Sequence, residues 1–270
     1  MNKITWLLLS PALYVISGCT APRMALTNPS WQNNIGYAVE GRMQTVLQKK
    51  PLRFGEFYTT GVKTSWRRSS SLVTDMDGRV INRYSNTLGK LYESSKASRR
   101  FTLSNGKGLQ AQVFTFDQLT ALGYLLGNNL QLNFDWLVKA LGMPTKAENS
   151  YYVQVFEPEN DRPWELMLDL DAVRWNPKNY AGYFALNDDE YYTVKAITKI
   201  MGKNGPSSFP AGIMGYEICN AGGVPVAAVS TINSGVVHLQ DSLPPDERFL
   251  MANLCAALLL YEPELPGAGY

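Results

Sequence analysis

The chain has a single histidine, His238, with Asp241 three residues further on. Any Ser-His-Asp chemistry would have to be built on that imidazole. It would also need a nucleophilic serine on a sharply shaped turn such as Gly-x-Ser-x-Gly, and no such turn occurs. Ser104-Asn105-Gly106-Lys107 has the Ser-x-x-Lys spacing of some acyl-transfer sites, where a helix sets both side chains on one face. Here Asn-Gly sits in the middle and strand-like runs flank it, so the segment reads as a hairpin turn. Asp75-Met76-Asp77-Gly78 opens like a calcium loop, but its twelfth position is Asn86 rather than glutamate, and Arg79 and Arg83 intrude. A tight turn is the simpler reading. Asp169 and Asp171 alternate along a strand-like run and would share one side of it. Two carboxylates so placed can do acid–base work, or simply form the solvent side of an amphipathic strand. Asp188-Asp189-Glu190 reads as a charged turn, and no phosphate loop, dinucleotide fingerprint or HExxH occurs. No catalytic residue, cofactor or metal site is therefore assigned.

Three cysteines remain to be placed: Cys19, Cys219 and Cys255. With one histidine in the chain, the last two make a poor start for zinc, which takes four ligands in structural sites. In an oxidising compartment an even pair admits a Cys219–Cys255 disulfide. Both also sit in apolar runs, where cysteine packs as a small hydrophobe, and the two alternatives stay open. Aromatic residues crowd one stretch, with Tyr151, Tyr152, Trp164, Trp175, Tyr180, Tyr183, Tyr191 and Tyr192. They suit a β-rich core, or a groove for a sugar, lipid or protein.

Cys19 has a different setting. Lys3 is the only charge before it, Ile4 to Ile16 is mostly apolar, and Ser17 and Gly18 are small. The apolar run is shorter than the roughly 20 residues of a membrane-spanning helix, as in a secretion signal. Ile16-Ser17-Gly18-Cys19 resembles the lipobox of bacterial lipoproteins. The resemblance implies cleavage before Cys19, diacylglycerol on its sulfur and a further acyl chain, such as palmitate, on the new amine. Two chains already give stable anchoring, at about 0.8 kcal/mol per buried CH₂. Thr20, not an acidic residue, follows the cysteine and points toward the outer membrane. Removing residues 1–18 leaves 252 of 270, with 24 Lys and Arg against 23 Asp and Glu. That balance argues against a nucleic-acid partner, whose footprint is a basic excess. Arg67-Arg68 and Arg99-Arg100 are too short to be more than solvated faces.

The elements that must position these residues follow from periodicity. Residues 19–30 read as a lipidated tether, and 31–270 as one α+β domain. From Ser30 a helix is expected on the spacing of Ile35, Val39, Met43, Val46 and Leu47, ending at Pro51. Residues 54–116 read as an antiparallel meander with hairpins at Asp77-Gly78 and Asn105-Gly106. Asp117 to Gly142 reads as helical. Strands follow at Tyr151–Phe156, Trp164–Val173, Tyr180–Leu186, Tyr191–Ile200, Ile213–Cys219, Val224–Ile232 and Val236–Leu239.

The C-terminal segment carries the clearest signal. Pro244-Pro245-Asp246-Glu247 suits a helix start. Phe249 to Tyr261 is then apolar on all sides except for Asn253. A helix that is hydrophobic all round must be buried all round, and this one is too short to span a bilayer. An antiparallel meander or barrel-like sheet wrapped around it satisfies that demand; a helix between a sheet and other helices is the alternative. The hairpin YEICNAGGVPVAAVS, a short strand and an apolar terminal helix resemble the ending of tubby-like barrels. The resemblance spans about the last 50 to 60 residues. It implies a barrel around the helix. Phosphoinositide binding in that family depends on basic residues for which no positions are assigned in this chain, and no activity is carried over. The function expected is that of a lipid-anchored envelope lipoprotein that binds or assembles with an envelope protein or component and is not an enzyme. The alternative is a lipid-anchored hydrolase acting on an envelope polymer or lipid.

Overall fold

The computed structural model describes residues 22–42, 50–64, 98–116, 150–158, 160, 162–169, 180–208 and 212–261. Cys19 and its leader, the Asp75–Gly78 turn, Arg67-Arg68, the helices expected over 117–142, Asp171 and Trp175 lie outside these residues.

Among the described residues, twelve strands form one antiparallel sheet in the order β2-β15-β14-β13-β10-β9-β8-β7-β6-β5-β4-β3. They are β2 (Tyr37–Ala38), β3 (Arg53–Phe54), β4 (Phe57–Thr64), β5 (Ser98–Ser104), β6 (Gln110–Phe116), β7 (Ser150–Phe156), β8 (Trp164–Asp169), β9 (Tyr180–Ala185), β10 (Tyr191–Ile197), β13 (Gly215–Asn220), β14 (Pro225–Ser230) and β15 (Val236–Leu239). Neighbours in space are mostly neighbours in sequence, so the meander read from turn chemistry extends through most of the chain. The hairpin at Asn105-Gly106 has its expected mechanism. The Asn105 Oδ1 accepts from the N–H groups of Lys107 (2.8 Å) and Leu109 (3.0 Å).

The two edges of the sheet meet. Just past β2, Glu40 bridges Arg53 of β3, with backbone bonds of 2.9 and 3.0 Å in both directions. Gly41 follows in the left-handed region at φ +75°, and a Cβ there would lie 2.1 Å from the carbonyl oxygen of Pro51. Only glycine lets the chain turn this close to the seam.

Inside runs the one described α-helix, α1 (Pro245–Leu260). Every residue from Phe249 to Leu260 is buried. A sheet of about eight strands fills its own interior with side chains, and one of sixteen leaves a channel. Twelve strands leave room for a helix about 10–12 Å across. Alternate residues of each strand reach α1: Tyr151, Val153 and Val155 of β7, Leu166 and Leu168 of β8, Ala227 and Val229 of β14, and Val237 and Leu239 of β15 all belong to this core.

Side chains of the wall and of α1 itself tie down both ends of the helix. Its last turn holds no basic residue, and no glycine follows to cap it. The Tyr151 hydroxyl donates to the carbonyl of Ala257 (2.8 Å), and the Arg42 guanidinium to that of Leu259 (2.8 Å). These belong to the last four carbonyls of a helix, which lack partners within it. At the other end Tyr192 donates to Glu247 (2.9 Å), and Arg248 bonds the Gln240 carbonyl (3.0 Å) and the Tyr37 hydroxyl.

The structure corrects three expectations. No helix begins at Ser30: a 3-10 turn, Pro29–Trp31, gives way to β2. Gly36 and Gly41 break the pattern, and Ile35 is 82% exposed while Val39 is buried against α1; Met43, Val46 and Leu47 lie outside the described residues. The strand expected over Tyr191–Ile200 ends at Ile197. A separate hairpin then follows, β11 (Lys199–Gly202) and β12 (Gly205–Ser208). Finally, the stretch read as tether is part of the folded body from Arg23 onward. Strand β1 (Arg23–Met24) pairs with β11 in a small three-stranded sheet, β1-β11-β12.

Candidate functional site

The sheet face turned away from α1 carries a row of directly opposed residues. Lys195 of β10 faces Glu217 of β13, Glu217 faces Ala228 of β14, and Ala228 faces His238 of β15. The small Ala228 leaves a hollow in this row, and the indole of Trp31 packs there beside Met24 and Met214. Trp31 Nε1–H donates to Glu217 Oε1 at 2.8 Å, and its ring meets the His238 ring edge-on at 6.0 Å. Asn34 completes the set. Its Nδ2 donates to the Leu239 carbonyl (2.7 Å), which turns its Oδ1 toward His238 Nδ1 at 3.1 Å.

That orientation assigns the tautomer. Asn34 Oδ1 can only accept, so Nδ1 carries the proton and Nε2 keeps the lone pair. Gly36 crosses tightly over the same ring: a Cβ there would lie 2.6 Å from His238 Cε1. Burial holds the imidazole below its ordinary pKa, so His238 is neutral near pH 7. The second carboxylate oxygen of Glu217 receives the Cys219 thiol at 4.0 Å. Burial, and then the charge of Glu217, pushes that thiol above its ordinary pKa, which keeps it protonated and a poor nucleophile. Apart from His238 Nε2, the polar groups named here are held by hydrogen bonds within the cluster or to the Leu239 carbonyl. Together with the apolar contacts they fasten residues 23–34 to β13–β15.

A second polar group lies on the outward face of β7 and β8. Tyr152 donates to Glu165 Oε1 (2.7 Å), and Gln154 Nε2 contacts both Glu165 Oε1 (2.8 Å) and the Tyr152 hydroxyl (2.7 Å). All three are buried. Burial raises the Glu165 carboxyl above its ordinary pKa, against the opposing effect of these hydrogen bonds. Burial also raises Tyr152, helped by the charge of Glu165. Among the described residues, the Oε1 of Gln154 and the Ser150 hydroxyl, nearby on β7, are buried without a hydrogen-bond partner.

The residues singled out from sequence do not converge. His238 lies on β15, and Asp241 is exposed beyond it, 3.9 Å from Arg248. Asp169 ends β8, five strands away in the sheet order. Lys107 pairs with Glu56 at 2.5 Å, and Ser104 Oγ accepts from the backbone of Gly106, so Ser-x-x-Lys is a turn. Arg99-Arg100 lies half-buried on β5. Cys219 and Cys255 are both free and buried. The bridge their number allowed is not formed: Cys255 lies on α1 inside the barrel, and Cys219 faces outward beside Glu217. Among the described residues, no group of three or more His, Cys, Asp or Glu could hold a metal ion.

The aromatic stretch divides between two faces. Tyr151, Trp164, Phe184 and Tyr192 join the core around α1, with Trp164 and Phe184 rings 5.3 Å apart. Tyr152 faces outward, and Tyr183 meets Tyr191 at 6.1 Å. Trp31, Asn34, Glu217, Gln154 and Glu165 were not singled out in the sequence. For two of them a signal existed: Gln154 and Glu165 interrupt otherwise apolar strands, where a polar residue needs buried partners. No protein-family model, curated protein or solved structure matches this chain.

Proposed function

We propose that this chain is a lipid-anchored module of the bacterial cell envelope, held by acyl chains on Cys19 at the outer membrane, that binds or assembles with an envelope component and performs no catalysis. The observation that carries this reading is the construction of residues 23–34. A leash would need no packing, yet Met24, Trp31 and Asn34 are fastened to β13–β15. An anchor upstream of such a segment fixes the barrel's orientation at the membrane, which a module presenting one surface to a partner requires. α1 occupies the barrel interior, so a partner would meet the outer surface. A sheet closed around a C-terminal helix also supports a tubby-like reading of the fold, and no activity is carried over from it.

The test has two parts. Cys19→Ser is expected to abolish metabolic acyl labelling and to remove the protein from the outer-membrane fraction. Crosslinking followed by purification of the native lipoprotein is expected to recover a stoichiometric envelope partner. Recovery of no partner, together with turnover of an envelope polymer or lipid, would reverse the assignment in favour of the hydrolase.

A further inference from the structure

The small sheet β1-β11-β12 has two unlike faces. Met24 pairs with Ile200, and both pack onto the barrel with Met214 and Ala228. Arg23 pairs with Met201, and Met201 with Pro206, on the opposite face. Lys199 shares that face by alternation, and Lys203 lies in the turn between the strands. These five residues are all exposed, and Met201 is one of the large hydrophobics left 43% in solvent. The charge is one-sided: no acidic residue occurs between Glu190 and Glu217, or between Pro22 and Val39. Among the described residues none forms an ion pair with Arg23, Lys199 or Lys203.

Position adds the second argument. Arg23 lies four residues after Cys19, a reach of about 14 Å when fully extended. An acylated Cys19 would therefore hold this face next to the lipid that takes up its chains. Basic side chains near an anionic bilayer each strengthen attraction about fivefold, and a guanidinium matches a phosphate oxygen pair. A thioether and a proline ring set among three cations suit the boundary between headgroups and acyl chains.

We infer that the exposed face of β1-β11-β12 is a membrane-contact surface that rests on the anionic phospholipid of the leaflet holding the N-terminal lipid. The inference rests on the lipid-anchor reading, and the experiment separates the two. The full-length lipoprotein is reconstituted into vesicles of phosphatidylglycerol and phosphatidylcholine, or of phosphatidylcholine alone. It carries a polarity-sensitive dye at Met201→Cys or, as a control, at Val224→Cys. Val224 is exposed in the β13–β14 turn, at the end of those strands remote from β11. The buried Cys219 and Cys255 leave the introduced thiol as the reactive one.

The dye at 201 is expected to shift to the blue and to be quenched by lipid-borne quencher in the anionic vesicles, with reversal in high salt. The dye at 224 is expected to stay aqueous. Charge reversal by Arg23→Glu, Lys199→Glu and Lys203→Glu together is expected to weaken the dye's lipid contact by more than about a hundredfold while the protein still floats with the vesicles. A dye at 201 that matches the one at 224 in floating protein overturns the surface assignment, as does quenching unchanged by charge reversal. Failure of the wild-type protein to float overturns the anchor itself.

Discussion

Glu165 and His238 are both buried ionisable groups, and they respond to pH with opposite signs. The unfolded chain releases the Glu165 proton near the ordinary 4.5, whereas the folded chain holds it to higher pH. The folded state then binds more protons, so stability falls as pH rises from 4.5 through the folded value. Glu165→Gln keeps an oxygen for Tyr152 and Gln154 and should remove that slope; thermal melts across this range check it. Glu165→Ala removes the acceptor that Tyr152 and Gln154 share, a loss of roughly 1–3 kcal/mol for each donor. A Glu165→Gln variant no more stable near neutrality than Glu165→Ala would contradict this account. For His238 the unfolded chain takes up a proton near 6.5 and the folded chain only at lower pH. Stability is therefore complete above 6.5, falls as pH drops, and levels off below the folded value. His238→Gln should flatten the melting curve in that acidic interval and leave the alkaline side unchanged. At this scale the sequence was a poor guide. It marked His238 for its rarity, but its partner Asn34 is 204 residues away.

Helix α1 was the most legible element, because an apolar surface on every side has few ways to be buried. How its ends are held was not legible. The bonds from Arg42 and Tyr151 span 217 and 106 residues. Arg42 also donates to the carbonyls of Thr231 (2.7 Å) and Asn233 (3.0 Å), so it ties the helix end to the β14–β15 turn. Arg42→Met should destabilise by roughly 2–3 kcal/mol, read from urea denaturation with an unchanged slope. Asn253 gives the converse case. Its Nδ2 bonds the Phe249 carbonyl (2.9 Å) within the helix, while its Oδ1 is buried without a partner among the described residues. Asn253→Leu should raise the urea midpoint, with a gain of about 1 kcal/mol; a fall would point to a role for the amide beyond packing. The helix expected at Ser30 failed for a related reason. Its spacing was right for one apolar stripe, but Gly36 crosses His238 and Gly41 crosses Pro51 too closely for a helix.

For the whole molecule, closure depends on a short seam. Only the Glu40–Arg53 bridge joins the two edges of the sheet among the described residues. Gly41→Val would set a side chain against the Pro51 carbonyl in a left-handed conformation, a strain of about 1–3 kcal/mol. Faster hydrogen exchange at the Glu40 and Arg53 amides, with protection elsewhere largely retained, is the expected result. Global loss of protection would instead show that the barrel folds only when closed.

The sequence alone determined the alternation of the strands, their antiparallel order through short turns and the need to enclose the terminal helix. Each follows from local periodicity, turn chemistry and the burial of apolar surface. Only the tertiary structure decided that the sheet closes on itself, that residues 23–34 dock rather than dangle, and that His238, Asp241 and Asp169 stay apart. Those outcomes depend on contacts between residues far apart in the chain. In such contacts the fit of Trp31 over Ala228, or of Gly41 beneath Pro51, is a matter of shape that no local spacing encodes.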